Sequence, residues 1–171
     1  MKLRWFITIS ILIFSFTLQN TLGDSIRIAD IAPNFLIMIV VAFSILRGEK
    51  EGAIIGFLAG FIYDIPYNYI FGMYTIIYMS IGYICGKLHP FCYRENRILP
   101  LMCTVFSSLF FSSVNILRFV LIGNINFSYF YLRIVLPELV YTTLLTLVVY
   151  RCIYFINSKL EEHEKKSRHL F

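Results

Sequence analysis

Three ionisable side chains stand inside otherwise apolar runs of this chain: Asp64, Arg118 and Glu138. Each is expensive where water is absent; a charge at the centre of a bilayer costs at least roughly 2.5–3.5 kcal/mol on insertion scales. Two uses fit such a set. The groups can pair across helices or sit at the water interface as structural glue, or they can relay protons and hold a polar substrate. The patterns needed for covalent chemistry are missing. The chain has no HExxH, no G-x-S-x-G, no phosphate-cradling glycine loop and no Cys/His nucleophile arrangement, so no catalytic residue is assigned and no enzyme is expected. His89, His163 and His169 fall in basic segments, which suits solvated side chains. Cys85, Cys92, Cys103 and Cys152 lack paired metal spacing and read as small apolar fillers, so neither metal nor cofactor is expected.

The elements that must hold these groups are apolar helices. Of 171 residues, 58% are hydrophobic and 15% are charged, against roughly 25% charged in soluble domains. One soluble core could not bury so much apolar surface in so short a chain. Lipid is the expected solvent. The net charge of +5 is spread between apolar blocks rather than gathered on a polar domain, which speaks for a membrane and against nucleic acid.

Six apolar segments follow one another. The first, Trp5 to Leu22, is preceded by Lys2 and Arg4; a retained helix is favoured over a cleaved signal, because more membrane-like sequence follows. The second runs from about Ile31 to Leu46, with Pro33 in its first turn. A charged turn, Arg47 to Glu51, leads to a third from Gly52 to about Ile65, stopped by Pro66. Fourteen residues span about 21 Å, less than the roughly 30 Å hydrocarbon core, so these two form a short hairpin in a thinned or protein-covered position. The fourth spans about Phe71 to Gly86, the fifth Ile98 to Ile122 and the sixth Tyr131 to Ile156. Ser107, Ser108, Ser112, Ser113 and Asn115 mark the fifth; they could line a cavity or join helices. In the sixth, Pro137 lies within an apolar run and is expected to kink it. Residues 1–156 thus read as a transmembrane domain and 157–171 as a polar cytoplasmic tail.

Within the third segment Gly52, Gly56 and Gly60 recur every four residues, with Asp64 one step on. Four residues turn 400° on a helix, so these positions form one slowly drifting ridge. In water each glycine costs roughly 1 kcal/mol relative to alanine. In lipid, where van der Waals contact drives helix association, the same spacing lets another helix approach closely. These glycines are the expected helix-docking site.

Orientation follows from the cations. With the amino terminus in the cytoplasm, Lys2, Arg4, Arg47, Lys50, Lys87, Arg94, Arg97, Arg151, Lys159, Lys165, Lys166 and Arg168 collect on that side. Only Arg27, Arg118 and Arg133 remain elsewhere. The bias puts both termini inside with six spans.

Arg47-Gly48, Gly52, Gly56-Phe57, Gly60, Asp64, Gly72 and Gly82-Tyr83 together resemble the signature of the bacterial rod shape-determining MreD family, and Leu136-Pro137-Glu138 with Tyr141 resembles its last helix. The likeness covers about residues 25 to 156; Thr142 departs from it, where an asparagine is expected. The resemblance implies an all-α membrane protein of six transmembrane helices, similar to the membrane subunit of energy-coupling-factor transporters. It implies a non-enzymatic subunit of the cell-elongation complex in the bacterial inner membrane. The implied partners are MreC, wall-synthesis membrane enzymes, an MreB-type filament reached indirectly and, as a further option, a second copy of the chain. The alternative of similar size and layout is a substrate-binding subunit of a vitamin uptake transporter. It would need a solute pocket near the outer face, built from Asp64, Asn115, Arg118 and Glu138.

Overall fold

The computed structural model describes the backbone of residues 2–23, 33–66, 72–91, 98–121 and 135–168; within these, the side chains of 2–3, 22–23, 118–121 and 161–168 are not described. The described residues form six α-helices: α1 Lys2–Gly23, α2 Phe35–Arg47, α3 Glu49–Asp64, α4 Met73–Lys87, α5 Ile98–Leu121 and α6 Leu136–Arg168, with a 3-10 turn at His89–Phe91.

Local chemistry sets the ends. The Asn34 side chain accepts the Ile37 amide at 3.1 Å and caps α2. The helix therefore starts at Phe35, and Pro33 lies outside it rather than in its first turn. The expected five-residue charged turn is in fact a single residue. Gly48 adopts φ +91°, a left-handed value that glycine tolerates best, and reverses the chain at once. Glu49, Lys50 and Glu51 then form the first turn of α3, where the positive end of the helix dipole favours the two carboxylates. At the other extreme, α6 passes through Ile156 without a break and runs 33 residues, about 50 Å.

Helix α2 is the axis of the bundle. Every residue from Leu36 to Ile45 is buried, as an all-round apolar helix must be. α1, α3, α4, α5 and α6 all pack against it. Side-chain bonds give the directions. Thr8 of α1 and Asn157 of α6 both meet Arg47 at the end of α2, whereas Gln19 and Thr142 meet its start at Leu36 and Asn34. Successive helices therefore alternate between an Arg47 end and an Asp64 end, and the start of α1 and the second half of α6 lie toward the Arg47 end. Two stretches, Ile98–Leu117 and Leu136–Leu160, are long and apolar enough to cross a membrane; α2 is apolar but shorter.

Candidate functional site

The glycine ridge is a buried seam, and the helix that fills it is α4. A Cβ on Gly52 would stand 2.6 Å from the Gly82 carbonyl oxygen and 2.8 Å from Ser44. One on Gly56 would meet the Tyr78 carbonyl, with the Met79 Cα at 2.9 Å, and one on Gly60 would fall among the backbone atoms of Tyr74 and Thr75. The partner surface is equally bare: a Cβ on Gly86 would lie 2.5 Å from the Glu49 Cα. Gly82 and Gly86 of α4 thus oppose the start of α3, and Gly60 opposes the start of α4. This corrects the expectation that Gly52, Gly56 and Gly60 await a helix from another protein. Close backbone approach occurs as the spacing predicts, but it joins two neighbours in one chain and leaves no groove for a second protein.

Asp64 closes the same hairpin. Its carboxylate is fully buried. Oδ2 accepts the amides of Gly72 (3.2 Å) and Thr75 (2.9 Å) and the Thr75 hydroxyl (2.6 Å), and Oδ1 accepts the Tyr74 amide (3.3 Å). These are the orphan donors at the first turn of α4, which its flanking Gly72 has no side chain to satisfy. Asp64 is a cap supplied from the preceding helix. Among the described residues its acceptor capacity goes to backbone and hydroxyl donors. The side chain of Arg118 lies outside the described residues, and with it the expected ion pair. Glu138 is half-buried in the first turn of α6. Pro137 stands beside it in the same turn, two residues after the buried Val135. In the first turn a missing amide removes no helix bond; residues 122–134, where a kink would be judged, lie outside the description.

Beyond Asp64 a polar chain links four helices. The Tyr74 hydroxyl donates to Asn115 Oδ1 (2.9 Å). The Tyr78 hydroxyl donates to Asn34 Oδ1 (3.2 Å), and the Asn34 amide reaches the Thr142 hydroxyl (3.4 Å). Thr142, the departure from the family pattern, is fully buried there and still presents an acceptor. Tyr63 packs among Tyr74, Tyr78 and Phe111 at ring distances of 4.7, 5.8 and 6.1 Å. Asp64 and Asn115, two of the four residues expected to build a vitamin pocket, are both engaged with protein.

The sequence placed Arg47 in a charged turn; its side chain is fully buried. Nε donates to Asn157 Oδ1 (2.8 Å) and a terminal nitrogen donates to the Thr8 hydroxyl (2.9 Å). The guanidinium covers the Phe43 ring at 4.5 Å, and Glu51 lies 3.8 Å away. Arg4 reaches the same carboxylate at 3.4 Å. One arginine thus ties α1, α2, α3 and α6 together. His89, expected to be solvated, is exposed, and its Nδ1, 2.7 Å from the Ile45 carbonyl, donates to the end of α2.

A groove of about 1170 Å³ runs between the start of α5 and the second half of α6, lined by Pro100, Leu101, Leu147, Val148, Arg151 and Phe155 among others. It lies toward the Arg47 end, opposite the Asp64 cluster. Among the described residues no three His, Cys, Asp or Glu side chains converge as metal ligands.

Comparison with known proteins gives the family. The profile described as "rod shape-determining protein MreD" matches residues 1–159, nearly the whole chain. The chain belongs to the MreD family. A curated relative, the rod shape-determining protein MreD of Bacillus subtilis (strain 168), is 25% identical over 75 residues. That alignment covers 44% of this chain and 44% of the relative, so the match spans less than half of its length. No solved structure matches. The sequence features that resembled MreD proteins have a common structural basis in this chain. Arg47-Gly48, Gly52, Gly56, Gly60, Asp64, Gly72 and Gly82 all serve one object, the joint of α2, α3 and α4.

Proposed function

We propose that this protein is a non-enzymatic, multi-pass membrane subunit of the machinery that maintains rod shape in a bacterial cell. The observation that carries this reading is the family match across residues 1–159. The geometry supports a scaffold. Its polar side chains cap helices and join them, and its hairpin is closed by backbone contact. In this reading the chain crosses the inner membrane six times with both termini in the cytoplasm, as the distribution of cations supports.

With the seam closed, docking falls to the outward faces of the same hairpin. Phe57 and Phe61 on α3 and Ile76 and Ile84 on α4 are large, apolar and exposed. Exposed apolar area of this kind on a packed unit suits a partner's membrane helix. The proposed occupant is the single span of an MreC-like protein, which links onward to wall-synthesis membrane enzymes and, indirectly, to an MreB-type filament.

Deletion in a rod-shaped host is the test. Cells lacking the protein should become round or wide, and the wild-type chain should restore rods and co-purify an MreC-like partner. Unchanged rods together with no co-purifying partner would reject the reading. A vitamin retained tightly through purification would point instead to the transporter alternative.

A further inference from the structure

The groove between α5 and α6 has an unusual charge pattern. Its lining carries one charged side chain, Arg151, and no carboxylate. Arg151 is exposed, and among the described residues no acidic group lies within ion-pair distance of it. One turn on, Phe155 lines the same groove, and the Lys159 ammonium sits 4.5 Å over the Phe155 ring. The cations are thus spaced by two turns along one face of α6, about 12 Å, with an aromatic ring between them. Leu101, Leu147 and Val148 make the rest of the wall apolar. The volume of about 1170 Å³ exceeds the roughly 300–1,000 Å³ of small-molecule clefts.

We propose that this groove seats an anionic glycerophospholipid, its acyl chains along Leu101, Leu147 and Val148 and its phosphate on Arg151 with Lys159 at the mouth. Charge complementarity selects this occupant. A cation on an apolar helix face within the span Leu136–Leu160 needs an anion or water. A long arginine side chain can reach the headgroup level while its stem stays among apolar neighbours. A partner's membrane helix would cover Arg151 with hydrocarbon and leave it unanswered, unless that helix brought its own carboxylate.

Native mass spectrometry of the full-length protein in detergent tests this, with phosphatidylglycerol and phosphatidylcholine of identical acyl chains as probes. Basic residues near an anionic headgroup each favour it by a factor of about five. The wild type should therefore retain phosphatidylglycerol at least about fivefold over phosphatidylcholine. Arg151→Gln should cut that preference about fivefold, Arg151→Lys should keep it, and Val148→Trp should displace both lipids by filling the groove. Equal retention of the two lipids by the wild type would overturn the proposal, as would an undiminished preference in Arg151→Gln. Loss of partner co-purification in Val148→Trp, with phosphatidylglycerol retained as before, would assign the groove to a protein helix. None of these readouts depends on cell shape, so they separate this site from the role proposed above.

Discussion

The backbone of Tyr78 lies against Gly56 so closely that its carbonyl carbon would be 2.8 Å from a Cβ placed there. No rotamer change can relieve such a contact, because the obstacle is main chain. Gly56→Leu is therefore expected to destabilise the protein itself, rather than to spare it and break a partner contact. Overpacking typically costs about 1–3 kcal/mol, and here the upper part of that range applies. Thermal unfolding of the purified protein in detergent checks it, with Ile76→Ala on the exposed face as the neutral control. A Gly56→Leu protein that melts with the wild type would refute the packing described.

Asp64 predicts an ordered series. Asp64→Ala strands the donors of α4 in a buried place and should cost about 1–3 kcal/mol. Asp64→Asn keeps one acceptor oxygen and should fall between alanine and the wild type. Melting temperatures in the order Ala, Asn, wild type are expected; an asparagine variant as damaged as alanine would argue against the capping role.

Arg47 should tolerate neither truncation nor its conservative exchange. Lysine keeps the charge but lacks the planar fork that reaches Asn157 and Thr8 at once. Arg47→Lys is expected to lose about 1 kcal/mol for each bond forfeited. Arg47→Ala, which leaves Glu51 without one of its two cations, should lose more. Equal stability of the lysine variant and the wild type, measured by the same unfolding assay, would sink this account.

The proposed orientation is read from two loops. Ser25→Cys and Ser128→Cys should react with a membrane-impermeant maleimide on intact cells. Reaction only after lysis would invert or dismantle the six-span map.

Much of the hairpin was legible in the sequence because its signals are steric. Glycines at four-residue spacing can mean only close approach, and Gly52, Gly56 and Gly60 do approach another backbone. What spacing could not say was whose backbone. A bare ridge is the same object whether its neighbour belongs to the next helix or to another protein; only the reciprocal pair Gly82 and Gly86, placed to face it, carried that information. Arg47 was misplaced for a related reason. A basic residue beside Gly48 and two glutamates looks like a charged turn, and its burial depends on Thr8 and Asn157, which are remote in sequence. Asp64 stands out in the sequence as a carboxylate in an apolar run, and it is buried. The donors were missed because backbone amides carry no residue-type signature. Glycine at position 72, unable to cap α4 by itself, was the available hint.

The enclosure of α2 has a bearing on how the protein is made. This helix is synthesised before α5 and α6, two of the five helices that surround it. During translation its flank must be shielded by lipid or by the insertion machinery, and the final interior forms only when the carboxyl-terminal helix arrives. A chain cut short before Leu136 would therefore lack not an appendage but one wall of its own centre.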